Sequence, residues 1–230
     1  MKETELIKII NDLRIAIVAV DVVVFSIVND GIQVFLTPVH RPPHYPNMFG
    51  LPGGVISNDE SADEAISRHL KEKVHLEGVF LEQLFTFSAP DRDKRSRSIS
   101  IAYLCLLSPE MREKKSSSDG VWVALKNLPS LAYDHAEIIT TAIDRLKGKL
   151  IYTNIAKELL PKHFTLPELQ RVYEIVLKRP LDKRNFRKKF LSNDLIKDMG
   201  KTRKTSHRPA QLYKFSSTKI ETIPEVWAAL

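Results

Sequence analysis

The chain has 230 residues, 43% hydrophobic and 27% charged, enough for one large core or for a domain of ordinary size plus a small one, and two domains are expected. The net charge of +7 divides unevenly: residues 1–150 carry 18 Lys+Arg against 20 Asp+Glu, a net of −2, while residues 151–230 carry 17 against 8, a net of +9. A single cysteine, Cys105, excludes an internal disulfide, the start Met1-Lys2-Glu3-Thr4-Glu5 lacks a signal-peptide pattern, and the longest apolar stretch is too short for a bilayer, so a cytoplasmic, non-membrane protein is expected.

Residues 15–27 are β-branched and apolar apart from Asp21 and Ser26, Asn29-Asp30-Gly31 is a hairpin turn signal, and Ile32 to Leu36 reads as the return strand. Pro-rich residues 38–46 read as a loop and Leu51-Pro52-Gly53-Gly54 as a tight turn. A helix follows over 61–74, with Ala62, Ala65, Ile66 and Leu70 on one stripe. Strands are expected over 79–87, 98–107 and 120–125, with Cys105 a buried thiol and Lys114 to Ser118 a mobile loop. Asp134 is placed to cap a helix, with Glu137 completing a capping box and Gly148 ending it. The result is a mixed sheet with flanking helices, in the α/β to α+β range, occupying residues 1–150.

Residues 151–230 form the second domain, read as helices over 155–160, 167–177 and 183–191, then strands at 195–196 and 212–215 around a basic loop at 200–211. Three helices and a basic hairpin make a winged helix-turn-helix. Residues 178–214 hold 13 basic and 3 acidic side chains, the charge footprint of a nucleic-acid-binding module. Lys183, Arg184, Arg187 and Lys188 share one face of the third helix, and Phe186 and Phe190 anchor the other. Asn185 with Arg184 or Arg187 is suited to base edges, Lys189 and the other lysines to phosphates, and Arg203, His207 and Arg208 to the wing; Thr165 is a further candidate.

Gly54, Glu60, Arg68, Leu70, Glu72 and Leu76 fall at the spacings of a Nudix box, and the first domain therefore resembles a Nudix sandwich. That resemblance implies three helix carboxylates at i, i+3 and i+4, on one face, holding Mg²⁺ for diphosphate hydrolysis. Here the positions are His69, Glu72 and Lys73, and His75 stands where a glycine closes the box. Catalysis and a metal site are therefore not expected. Glu72 and Lys73 read as surface residues, His69 as a solvated helix histidine, and Glu60 with Arg68 as a structural pair.

The segment Arg92-Asp93-Lys94-Arg95 is similar to the Arg-Asp-Pro-Arg segment of Nudix domains that bind ADP-ribose, as is Leu131 to His135 to another of their segments. Phe164 to Gln170, Asp182 to Lys189 and Arg208 to Tyr213 resemble Nudix-related transcriptional regulators, best known as repressors of NAD biosynthesis genes. This implies a homodimeric repressor, bound to a pseudopalindromic double-stranded operator, that senses ADP-ribose or a related metabolite without any cofactor. Arg41, Glu72, Arg92, Asp93, Arg95 and Arg97 are the candidate ligand residues, since arginines bind phosphates bidentately. A pentose-responsive regulator of the same family, and an active ADP-ribose or nucleotide pyrophosphatase with a nucleic-acid-binding domain, are the alternatives.

Overall fold

The computed structural model describes residues 15–114, 120–204 and 209–223. Of the expected mobile loop at 114–118, Lys114 ends a short helix, and residues 115–118, like the wing residues His207 and Arg208, lie outside the described residues.

The long apolar run becomes β1 (Ile17–Val28), the central strand of a seven-stranded mixed sheet. It pairs in parallel with β6 (Ser98–Leu107) and antiparallel with β2 (Gly31–Arg41). Such a strand can be apolar on both faces because both are covered. Val20, Val22 and Val24 pack with Tyr103, Cys105 and Leu107 beneath helix α1 (Ala62–Val74). Val23, Phe25 and Ile27 pack with Leu104 and Leu106 against α3 (His135–Tyr152). Cys105 is fully buried, and burial pushes its thiol pKa up.

Residues 38–46 are not simply a loop. β2 continues to Arg41 and turns into β3 (Tyr45–Gly50), a hairpin that Pro and His composition conceals. β4 (Gly53–Val55) then pairs with β1 across Gly53–Asp21. A Cβ on Gly53 would lie 2.1 Å from the Val20 carbonyl oxygen, so the close approach of the two strands requires glycine. The edge strand β5 (Phe80–Phe87), a short helix α2 (Pro109–Lys114) and β7 (Val121–Ala124) complete the sheet layer.

Two helix ends differ from expectation. Asp134 makes no cap hydrogen bond, because its carboxylate is drawn to Arg92, and α3 runs through Gly148 to Tyr152. His75 keeps the left-handed turn that ends α1, at φ 56°, although a side chain stands where glycine is least strained. At the start of α1, Ser61 and Glu64 form a reciprocal capping box.

Beyond α3, a short 3₁₀ turn (Ile155–Leu159) leads to α4 (Leu166–Leu177) and α5 (Lys183–Ser192). Then come β8 (Ile196–Arg203) and β9 (Ala210–Phe215), longer strands than the sequence suggests, which take in residues 200–203 and 210–211 of the expected loop. Phe164 exchanges two backbone hydrogen bonds with Tyr213, tying the start of α4 to the wing. Leu146 and Leu150 of α3 share one continuous apolar cluster with Leu169, Tyr173, Phe186 and Phe190. Arg171 on α4 also pairs with Asp30 in the β1–β2 turn at 2.8 Å. No helix among the described residues is long and apolar enough to cross a membrane.

Candidate effector cavity and nucleic-acid interface

Where β1, β2, β4, α1 and the N-terminus of α3 meet, the first domain opens into a cavity of about 600 Å³. Its floor is a buried polar network centred on Asp21, the one charge in the apolar strand β1. Asp21 accepts a 2.6 Å bond from the Ser100 hydroxyl, faces His135 Nε2 at 3.4 Å and Arg92 at 3.6 Å. Burial opposes its ionisation, but His135, Ser100 and Arg92 outweigh that and hold its pKa below the ordinary value. His135 Nδ1 accepts from the Leu51 backbone N–H at 2.8 Å, which leaves the ring proton on Nε2, toward Asp21.

Arg92 is almost fully buried and clasps Asp134 through two bonds while donating a third, 3.0 Å, to Ser98 Oγ. Arg95 forms its own two-bond pair with Asp93, lowering the Asp93 pKa against burial, and lies 5.2 Å over the Tyr133 ring. Tyr133 has a left-handed backbone, φ 56°, unusual for an aromatic residue, and its ring sits between Tyr45 and His135 at 4.4 and 5.0 Å. This gives the cavity an aromatic wall beside its cations.

The helix facing the cavity is arranged unlike the sequence reading. His69 is buried rather than solvated: its ring fills the space over Gly54, where a Cβ would lie 2.5 Å from Cε1. Burial, with Lys73 and Arg68 nearby, lowers the His69 pKa and favours the neutral ring. Lys73 is a cavity residue rather than a surface one, its ammonium donating to the Gly53 carbonyl. Glu72, the surviving carboxylate, is 54% exposed, outside the cavity lining, and faces Arg68 at 3.4 Å. Glu60 and Arg68 form the structural pair expected, with two bonds of 2.5 and 2.9 Å.

Of the six candidate ligand residues, the structure brings Arg41, Arg92, Asp93 and Arg95 together at the cavity. Arg97 and Glu72 are not part of its lining. Arg97 instead donates to the carbonyls of Ser88 and Ala89 and closes the loop on itself. Sequence reasoning missed Asp21, whose signal was an acid inside a buried strand, and it read His69 and Lys73 as solvated and surface residues although the spacing of the Nudix box places both at the site. Among the described residues, no group of three or more His, Cys, Asp or Glu side chains is placed to hold a metal ion.

In the second half, α5 presents Lys183, Arg184, Asn185, Arg187 and Lys188 to solvent, with Lys189 half-buried. Phe186 and Phe190 are buried 4.7 Å apart and make edge contacts with Tyr173 of α4. Asp182 caps the helix through the Asn185 N–H. Thr165 and Arg203 are committed within the protein. Thr165 is the buried N-cap of α4, paired reciprocally with Glu168, and Arg203 holds Glu168 at 2.6 Å and the His163 carbonyl at 2.8 Å. Among the described residues, exposed basic side chains therefore lie on α5 and, on the wing, at Lys197, Lys201, Lys204 and Lys214.

A Nudix-type cavity domain continuous with a winged helix that carries an exposed basic helix defines a ligand-responsive DNA-binding regulator as the class. Residues 18–142 match the NUDIX domain model, and residues 156–215 match the NrtR DNA-binding winged helix domain model. The chain belongs to the family of Nudix-related transcriptional regulators. It is 30% identical over 212 residues to the ADPR responsive transcriptional repressor NtrR of Acinetobacter baylyi, covering 90% of this chain and 84% of the relative. It is also similar to the crystal structure of Shewanella oneidensis NrtR complexed with a 27mer DNA, at 34% identity and a TM-score of 0.76, covering 86% of this chain and 93% of that one. The NUDIX domain of the Shewanella protein complexed with ADP ribose matches 64% of this chain and 99% of its own length, at 30% identity and a TM-score of 0.52.

Proposed function

We propose that this chain is a homodimeric transcriptional repressor of NAD-metabolism genes, acting in the cytoplasm. Its first domain binds ADP-ribose without hydrolysing it, and α5 of each protomer enters the major groove of a pseudopalindromic operator. The observation that carries the non-hydrolytic part is the inverted helix face at the cavity: Lys73 and His69 point in, and the remaining carboxylate, Glu72, points out. Mg²⁺ needs several hard oxygen ligands, and these residues do not fit it. Cations beside an aromatic wall suit a ligand with phosphates at one part and a flat base at another. The surplus of positive charge favours a phosphorylated effector over a free pentose. No cofactor is needed for binding of this kind.

The test is a mobility-shift titration of the full chain on its own upstream regions, with ADP-ribose, NAD or pentoses added, beside a Mg²⁺-dependent assay of ADP-ribose hydrolysis. Release of specific complexes by ADP-ribose with no turnover is the expected result. Release by a pentose alone moves the protein to the sugar-responsive reading, and turnover on the order of 1 s⁻¹ makes it an enzyme. Light scattering on the complex reads the dimer.

A further inference from the structure

The winged helix is joined to α3 by the chain at both of its ends. The chain enters through Thr153 and Asn154, both buried, between the last turn of α3 and the 3₁₀ turn. After β9 it returns to the same place. Asn154 donates its backbone N–H to the Glu221 carbonyl at 3.2 Å, Ile223 donates to the Tyr152 carbonyl at 2.8 Å, and the Ile223 side chain joins the core cluster that holds Leu150 and Ile155. Asn154 stands at the N-cap of the 3₁₀ turn yet makes no side-chain cap bond. Its amide is turned to the returning chain instead, donating to the Lys219 carbonyl at 3.0 Å and accepting from the Glu221 N–H at 2.9 Å. At the other end of this return, the Ser216 N–H donates to the Leu195 carbonyl at 3.0 Å and its hydroxyl to the Asp194 carbonyl, in the turn that follows α5.

The exit of α5 and the end of α3 are thus connected by a short tie. Five residue steps, Ser216 to Glu221, reach at most about 18 Å. The apolar packing of α3 against the winged helix is non-directional, and helices packed in that way can slide and turn on one another. Hydrogen bonds at both ends of a short tie are directional, and they remove that freedom. We propose that Asn154 is a positioning residue for operator binding: its buried amide clamps residues 219–221 to the end of α3 and so fixes the angle at which α5 stands to that helix. This rests on the reading of the chain as a dimer whose two α5 helices enter successive major grooves. In such a dimer the angle sets the half-site spacing that both helices can reach together, and one base pair more or less moves a half-site by about 3.4 Å and turns it by about 34°.

The experiment compares the full chain, Asn154→Ala, and a slack variant with two glycines inserted between Ser216 and Ser217, which keeps the contacts at both ends and only lengthens the tie. Mobility shifts are run on the bound upstream duplex and on copies with the half-sites one base pair closer or farther apart. The unmodified chain should lose about tenfold or more in affinity for either change, while both variants should bind the three duplexes within about threefold of one another. A second readout needs no DNA: electron-spin distances between labels at Thr140→Cys on α3 and Ser192→Cys at the end of α5, both exposed, in labelled chain diluted into excess unlabelled chain. Cys105 is buried with its thiol pKa pushed up, so it stays unlabelled. The distance distribution should broaden in both variants. A folded Asn154→Ala that melts earlier but keeps the parental spacing preference and distribution makes Asn154 merely structural and overturns the proposal, leaving operator binding in place, and a slack variant that behaves as the parent overturns it equally. Broadened distances in a chain that binds no duplex specifically keep the clamp and remove the operator reading. Unchanged distances without specific binding remove both.

Discussion

Arg92 and Asp134, 42 residues apart in sequence, meet through two hydrogen bonds, Nε to Oδ2 at 2.8 Å and Nη2 to Oδ1 at 2.7 Å. The loop after β5 is thereby fastened to the first turn of α3. A further bond from the same guanidinium reaches Ser98 at the start of β6, so three elements are fixed around one side chain.

Arg92→Ala should accordingly behave as a stability variant first. It leaves Asp134 without its two-bond partner and takes a neighbouring cation from Asp21, which keeps Ser100 and His135, and breaking a largely buried pair from one side costs about 3–5 kcal/mol. Chemical denaturation at neutral pH measures the loss. An Arg92→Ala protein as stable as the parent but unable to bind effector would instead make Arg92 a direct ligand contact.

Acid should weaken the fold over a defined window. The Arg68 hydrogen bonds, with the Ser57 backbone N–H, lower the Glu60 pKa from 4.5 to about 2. Asp21 and Asp93 are also lowered. A carboxylate with a depressed folded pKa contributes stability that is complete above its unfolded pKa and lost as pH falls through the folded one. His69, whose folded pKa is lowered, starts a shallow decline as pH falls below about 6.5, because only the unfolded chain takes up that proton, and the carboxylates steepen the decline between about 4.5 and 2. Glu60→Gln should make the decline shallower in urea titrations across that range; an unchanged slope would remove Glu60 from the cause.

Gly54 and His69 are matched in shape. A methyl at residue 54 would press into the imidazole, so Gly54→Ala should destabilise by about 1–3 kcal/mol, the usual cost of overpacking. His69→Ala empties the space, and the double variant should recover much of that loss. Additive single effects in the cycle would show that the collision is relieved elsewhere.

On DNA, Arg187→Ala should cost about 1–3 kcal/mol and relax preference at one base position per half-site. Lys188→Ala should weaken all sequences alike and flatten the dependence of affinity on salt, the slope falling by about 0.9 for each phosphate that is no longer neutralised. Mobility shifts on wild-type and single-base-substituted operators at two salt concentrations separate the two. Equal behaviour of the two variants would make α5 an electrostatic contact without base reading.

The central strand, both flanking helices and α4 and α5 were legible because each carries a periodic apolar pattern or a cap. The fold was least legible where polar residues form strands: β3 hides behind Pro42, Pro43 and His44, and in β8 only Ile196 is buried. At the site, residue types were legible but their pairings were not. Asp134 has the local signature of a cap, and only the folded chain brings Arg92 close enough to take its carboxylate. Lys73 reads as a surface lysine on its own helix, and it becomes a cavity residue because β4 passes beneath α1 and offers the Gly53 carbonyl to its ammonium.

α3 begins in the effector cavity with His135 and ends at Tyr152, its last turns sharing side-chain packing with the winged helix. Eighteen residues of helix make a rod of roughly 27 Å, and each added residue would turn one end against the other by about 100°. Its residue count is therefore a gear setting between cavity and groove: sequences can drift along this segment by substitution, whereas a single insertion or deletion would leave both ends folded and point the basic helix away from the operator.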